Sequence, residues 1–275
     1  MTRFVRLMSM LVLLAPVAVA DEPVCLVFCA PGYPGNTAEA QPTMDHFASG
    51  LNSATGWKPG TLTAVYHESG SAGVERLSSS DAAVAIVSLP FYLKHRDELA
   101  LEPLLAAVAT DGGEGTWSLV AAKGKLSGPG DLAGWTVTGL PAYLPALVRG
   151  PVLSGWGELP ENMTIQFTSR ALSALRKASR GETVAVLLDV PQIEALSSLP
   201  FGESLEVVHT SGPLPGSVLC SVGGRLPEAR QVELVNALLA MGKAPEGTQL
   251  LESIRLERFE KVNLEKINRI VEAMD

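Results

Sequence analysis

Short apolar runs alternate with amphipathic stretches along most of this chain. Positions 24–29 are apolar and close on Ala30-Pro31-Gly32-Tyr33-Pro34-Gly35, which reads as a strand ending in a turn. Met44, Phe47, Ala48 and Leu51 then recur at helical spacing over 43–54, with Gly56 as the stop. Residues 61–66 alternate as a strand does, and a short helix is expected over 74–79. Residues 82–87 and 104–109 are continuous apolar runs of the kind found in strands buried on both faces. Beyond Asp111-Gly112-Gly113-Glu114-Gly115 the pattern resumes. Strands are expected at 117–122, 135–138, 163–167, 184–188, 205–209 and 217–222. A helical turn is expected at 129–134, and helices over 144–153, 170–180, from 191, over 227–241, 247–253 and 263–273.

Strands alternating with helices imply largely parallel sheets with helices on both faces. Two glycine-rich breaks, 110–115 and 211–216, read as crossings between two lobes. Lobe one then comprises 21–111 and 214–275, and lobe two 112–213, with the ligand cleft between them. Glycines in both breaks, and two prolines in the second, make them the expected hinge.

The first twenty residues carry a different signal. Arg3 and Arg6 precede an apolar run that holds Leu11, Val12, Leu13 and Leu14, and Ala18-Val19-Ala20 is a small-x-small site. This is the pattern of a secretory leader, with cleavage expected after Ala20 and a periplasmic mature protein. The run is shorter than the roughly 20 residues that a spanning helix needs. The formal net charge of −8 becomes −10 when Arg3 and Arg6 leave with the leader. With no basic cluster, that charge argues against nucleic acid and against anionic membrane surfaces as partners.

Export permits a disulfide, and there are three cysteines. Cys25 and Cys29 in one strand would stand about 13 Å apart, too far to bond to each other. One of them could meet Cys220, or they could be small buried hydrophobes.

Motifs of known chemistry are missing from the sequence. It holds no phosphate loop and no nucleophile elbow. His46, His67, His95 and His209 are scattered singly, without metal-ligand spacing. No catalytic residue, metal site or cofactor is assigned.

Three stretches together resemble the phosphate/phosphite/phosphonate substrate-binding proteins of ABC transporters. One is Asp81-Ala82-Ala83-Val84-Ala85-Ile86-Val87-Ser88-Leu89-Pro90-Phe91-Tyr92-Leu93, similar to that family's buried strand running into a Tyr-Leu turn. A second is Gly130-Asp131-Leu132-Ala133-Gly134-Trp135-Thr136-Val137, similar to the segment that opens the second lobe. The third runs from Leu226 through Ala244-Pro245-Glu246-Gly247 to Leu251, with Phe259 just beyond. The resemblance implies an α/β, two-lobed type 2 periplasmic binding protein fold, each lobe a mostly parallel sheet flanked by helices. It implies a monomer that captures a small solute, anions included, and delivers it to a membrane permease.

Ligand contacts are then expected from loops at strand carboxyl ends: Tyr33, Ser69, Ser71, Ser88, Tyr92, Thr116, Ser118, Tyr143 and Asp189. Ser69 and Ser71 could equally be helix caps, and the tyrosines half-buried aromatics. Phosphonate binders resemble one another in a Ser/Thr-rich loop after the strand of the second stretch. Here that loop reads Thr138-Gly139-Leu140-Pro141-Ala142-Tyr143, with almost no hydroxyls for an oxyanion. Two other readings are a secreted enzyme on the same scaffold, which would pair His67 with Asp189 across the cleft, and a sensing or adaptor domain.

Overall fold

The structure, a computed structural model, describes residues 22–110 and 114–274. The leader read at 1–20 lies outside the described residues, as do Asp111, Gly112 and Gly113 of the first crossing. Among the described residues no helix is long and apolar enough to cross a membrane.

Lobe one is built on six strands: β1 (Val24–Cys29), β2 (Leu62–His67), β3 (Ala82–Ser88), β4 (Leu101–Ala109), β10 (Ser217–Val222) and β11 (Leu256–Lys261). They lie in the order β11-β4-β10-β3-β1-β2. Lobe two has five: β5 (Ser118–Ala122), β6 (Thr136–Gly139), β7 (Thr164–Phe167), β8 (Val184–Leu188) and β9 (Leu205–Thr210), in the order β7-β6-β8-β5-β9. The expected parallel pairing holds for β2-β1-β3 and for β7-β6-β8. The strands laid down beside the crossings, β4, β10 and β11 in one lobe and β5 and β9 in the other, pair antiparallel.

β1 shows how the sequence dictates the layers. All six of its residues are buried, and they alternate sides. Val24, Leu26 and Phe28 join the cluster packed by Met44, Phe47 and Leu51 of α1 (Thr37–Thr55), Leu234 and Leu238 of α7 (Glu228–Met241), and Leu251 of α8 (Pro245–Ser253). Cys25, Val27 and Cys29 face the other way, toward α2 (Gly70–Leu77) and α3 (Leu89–His95). A continuous apolar run is therefore what a central strand needs. In lobe two, α5 (Ala171–Ser179) and α6 (Val190–Leu196) cover one face of the sheet through Ala174, Leu175, Ala178 and Leu196.

Three local readings change, and the open choice for the cysteines closes on buried, unbonded thiols. α1 begins at Thr37 rather than 43, because the Asn36 side chain accepts from the Glu39 N–H at 3.0 Å and Pro42 is absorbed within the helix. The helix expected over 144–153 is broken. One turn, α4 (Pro145–Leu147), passes into a wider turn at Val148–Val152 around Gly150 and Pro151, where proline has no N–H to give. β11 is a strand where none was expected; only Leu256 and Phe259 of Leu-Glu-Arg-Phe-Glu-Lys are buried, as suits a solvated edge. Cys25, Cys29 and Cys220 are all buried and all free. β1 and β10 lie on opposite sides of β3, so the thiols are about two strand spacings apart, roughly 9.5 Å, beyond disulfide reach.

The two crossings run side by side. Leu214 donates its N–H to Gly115 O, and Ser211 to Trp117 O, each at 2.9 Å. The chain then crosses a third time. After β11 the final helix, α9 (Leu264–Glu272), puts Lys266 on Glu114 of the first crossing, and the chain just beyond α9 sets the Ala273 carbonyl against Gly150 of lobe two.

Candidate functional site: the cleft between the lobes

Each sheet has one point where successive connections leave in opposite directions. From β1 the chain moves to β2 on one side and then to β3 on the other; from β6 it moves to β7 and then to β8. Crevices open at the carboxyl ends of such strands, because the loops on either side diverge there. In this molecule the two crevices face each other. Gly32, just after β1, lies against Leu140 and Phe167, which end the segments after β6 and along β7. Gly32 has φ +83°, the left-handed region that favours glycine, and a side chain there would push aside the ends of both residues.

The floor on the lobe-one side is the start of α2. Ser69 occupies the N-cap with extended backbone but makes no side-chain capping bond. Its hydroxyl is instead paired with that of Ser71 at 2.9 Å. The helix start therefore keeps free N–H groups and the positive end of its dipole toward the cleft. Below it, Gly73 lets α2 settle directly on the Cys29 side chain. Burial pushes the Cys29 thiol up to about 12, so it stands there as a neutral apolar group.

The lobe-two side presents Tyr143. It ends a tight turn, Pro141–Tyr143, that begins directly after β6 and Leu140. Its hydroxyl meets His95 Nε2 at 2.9 Å, and its ring stacks on Phe91 at 6.1 Å between centroids and 14° between planes. Lys94 Nζ lies 4.4 Å above the same ring. Phe167 of β7 meets it edge-on at 5.6 Å. A side chain at Gly70, the first residue of α2, would strike the Tyr143 hydroxyl first.

The structure therefore brings Ser69, Ser71 and Tyr143 together, with Tyr33 close by at the rim, 38% exposed and its carbonyl accepting from the Tyr66 hydroxyl. The remaining residues expected as contacts stand elsewhere. Tyr92 is buried within lobe one, against Cys220 and Arg96, while its neighbours on α3, Phe91 and His95, reach the cleft. Ser88 is buried at the start of α3. Ser118 spends its hydroxyl on Thr210 at 3.0 Å, and Thr116 sits in the crossing. Asp189 caps α6, accepting from the Gln192 N–H at 3.0 Å while the Gln192 side chain returns to its own N–H. His67 Nε2 is buried without a hydrogen-bond partner, so that nitrogen makes no bond to Asp189. Burial also lowers the His67 pKa, which keeps the ring neutral. Among the described residues no cluster of His, Cys, Asp and Glu could hold a metal. Phe91, Lys94, His95 and Phe167 escaped the sequence reading. Phe91 and His95 stand four residues apart on one helix face, a spacing that shows only once α3 is known to run to His95.

A hollow of about 220 Å³ under Trp57 lies at the opposite end of lobe one, by the start of β2. Its Asn52 is already committed, bonding both the N–H and the carbonyl of Leu62 at 2.9 Å. The hollow is a seam between α1 and β2, far from the switch points.

Residues 34–266 match the family model for the ABC transporter, phosphonate, periplasmic substrate-binding protein. The chain belongs to this family. Its members are periplasmic solute-binding components of ABC transporters, which work with a small-molecule ligand and a membrane permease. Solved structures share the fold of this substrate-binding protein at low sequence identity. XAC2383 from Xanthomonas citri bound to chloride superposes with a TM-score of 0.72 at 13% identity, covering 91% of this chain and 97% of that one. The binding protein component of an ABC phosphonate transporter from Pseudomonas aeruginosa gives 0.65 at 16%, covering 92% and 86%. PhnD1 from Prochlorococcus marinus in complex with methylphosphonate gives 0.64 at 14%, covering 92% and 97%. No curated protein matches the sequence.

Proposed function

We propose that this substrate-binding protein is a monomer, exported and cleaved after Ala20, that captures a small anionic solute between its lobes for an ABC permease and catalyses no reaction. One observation carries the reading: the uncapped start of α2 faces the carboxyl end of β6 across the cleft. Free backbone N–H groups and a helix dipole suit an anion. They do so without a basic cluster, in a chain whose net charge is strongly negative. Ser69 and Ser71 add hydroxyls to the same spot. Two of the relatives named above were solved with an anion, one with chloride and one with methylphosphonate. In this reading lobe one is 21–111 with 214–261, lobe two is 112–213, and α9 binds the two at the back. The hinge is the paired crossings at 110–115 and 211–216.

Native mass spectrometry of protein drawn gently from cells tests it. The expected spectrum shows a small noncovalent adduct, lost on denaturation, that ionises in negative mode. A retained cation, or protein that stays bare even after incubation with phosphate, phosphite and methylphosphonate, contradicts the reading.

A further inference from the structure

We propose that Tyr143 is a built-in occupant of the cleft: without solute its ring latches the two lobes together, and a solute enters the anion position by displacing it. The inference rests on the cleft being the solute site. It goes further by assigning one side chain the part of a competitor.

Tyr143 belongs to lobe two, yet four of its five close neighbours, Phe91, Lys94, His95 and Gly70, belong to lobe one. Its oxygen stands at the first residue of α2, where the oxygen of a bound anion would take the free N–H groups. The ring and a solute therefore cannot share the space. The contacts are those of a catch rather than of a core. They comprise one hydrogen bond to His95, whose other ring nitrogen meets Glu98 at 3.1 Å, one stacked ring, one cation over a face and an edge contact with Phe167, itself 38% exposed. Tyr143 is the half-buried end of a short turn whose Pro141 and Ala142 are buried, so its ring can leave by side-chain rotation while the turn and β6 stay in place. Competition of this kind lowers the apparent affinity by the fraction of molecules whose cleft is unlatched.

Small-angle scattering of solute-free protein, stripped by denaturation and refolding, decides the latch without any ligand. Tyr143→Ala is expected to raise the radius of gyration above that of the unmodified chain, and Tyr143→Phe, which keeps the ring, to raise it less. His95→Ala, on the other lobe, is expected to do the same should Tyr143→Ala fail to fold. Calorimetry with methylphosphonate reads the competition: Tyr143→Ala is expected to bind about tenfold more tightly, the effect of removing a closed state that dominates by that ratio. An unchanged radius in the variants overturns the latch, and weaker binding by Tyr143→Ala overturns the competition. If methylphosphonate binds neither protein, the anion reading is what fails, and the radius still decides the latch.

Discussion

At Cys29 one side chain records both the packing and the electrostatics of lobe one. It faces α2 from β1, its thiol touches the Ser69 carbonyl at 3.8 Å, and Gly73 leaves it just enough room. Burial, with the charge of Glu68, holds its pKa near 12, so at pH 8 about one molecule in ten thousand carries the reactive thiolate. Burial raises the Cys220 and Cys25 thiols as well. A thiol reagent at pH 8 should therefore leave the folded protein unlabelled and label three thiols per chain on unfolding. Raising the pH toward 12 should speed labelling, because thiolate grows tenfold per unit. Rapid labelling of the folded chain at pH 8 would show that this layer is open. From sequence the three cysteines could be a disulfide or buried hydrophobes. The choice needed the strand order, which sets β3 between β1 and β10.

Among the elements, those with a strong period were legible and those shaped by partners were not. β1, β3 and β8 announce themselves because a strand covered on both faces must be apolar throughout. β11 does not, because four of its six residues face water on this edge strand and leave only Leu256 and Phe259 inside. β4, β5 and β10 carry apolar runs like those of the parallel strands, so only the return of the chain fixes their antiparallel direction. α6 shows how a functional expectation can meet a structural use. Asp189 follows a buried strand into a turn, a good place for a ligand-binding carboxylate, yet its carboxylate and Gln192 form a reciprocal cap. Asp189→Ala should cost about 1 kcal/mol in urea unfolding, the usual loss for such a cap, whereas Asp189→Asn should keep most of it. Binding of an anion should be the same in Asp189→Asn as in the unmodified chain. A tenfold change would mean that the carboxylate reaches the solute.

Seen as a whole molecule, the sequence made the two-lobed plan readable because glycine-rich breaks interrupt the strand–helix alternation at two places, 110–115 and 211–216. The third link, α9, was readable as a helix but not as a bridge, since its packing on lobe two depends on contacts distant in sequence. Of the expected contacts, Ser69, Ser71 and Tyr143 converge at the candidate site, while Phe91 and His95 reach it from α3 with no signal in the sequence to mark them. What the account claims above all is that an anion sits at the start of α2. Replacing Ser71 by Asp tests this directly. A carboxylate in the first turn favours the helix dipole, so it supports the fold, and it places a negative charge where the solute's would lie. Calorimetric titration of both proteins with phosphate, phosphite and methylphosphonate should show one-to-one binding of at least one anion by the unmodified chain. Ser71→Asp should bind the same anion more than about tenfold more weakly, a loss of roughly 1.4 kcal/mol, with an undiminished melting temperature. Equal affinity in the two proteins would place the anion elsewhere and contradict the account.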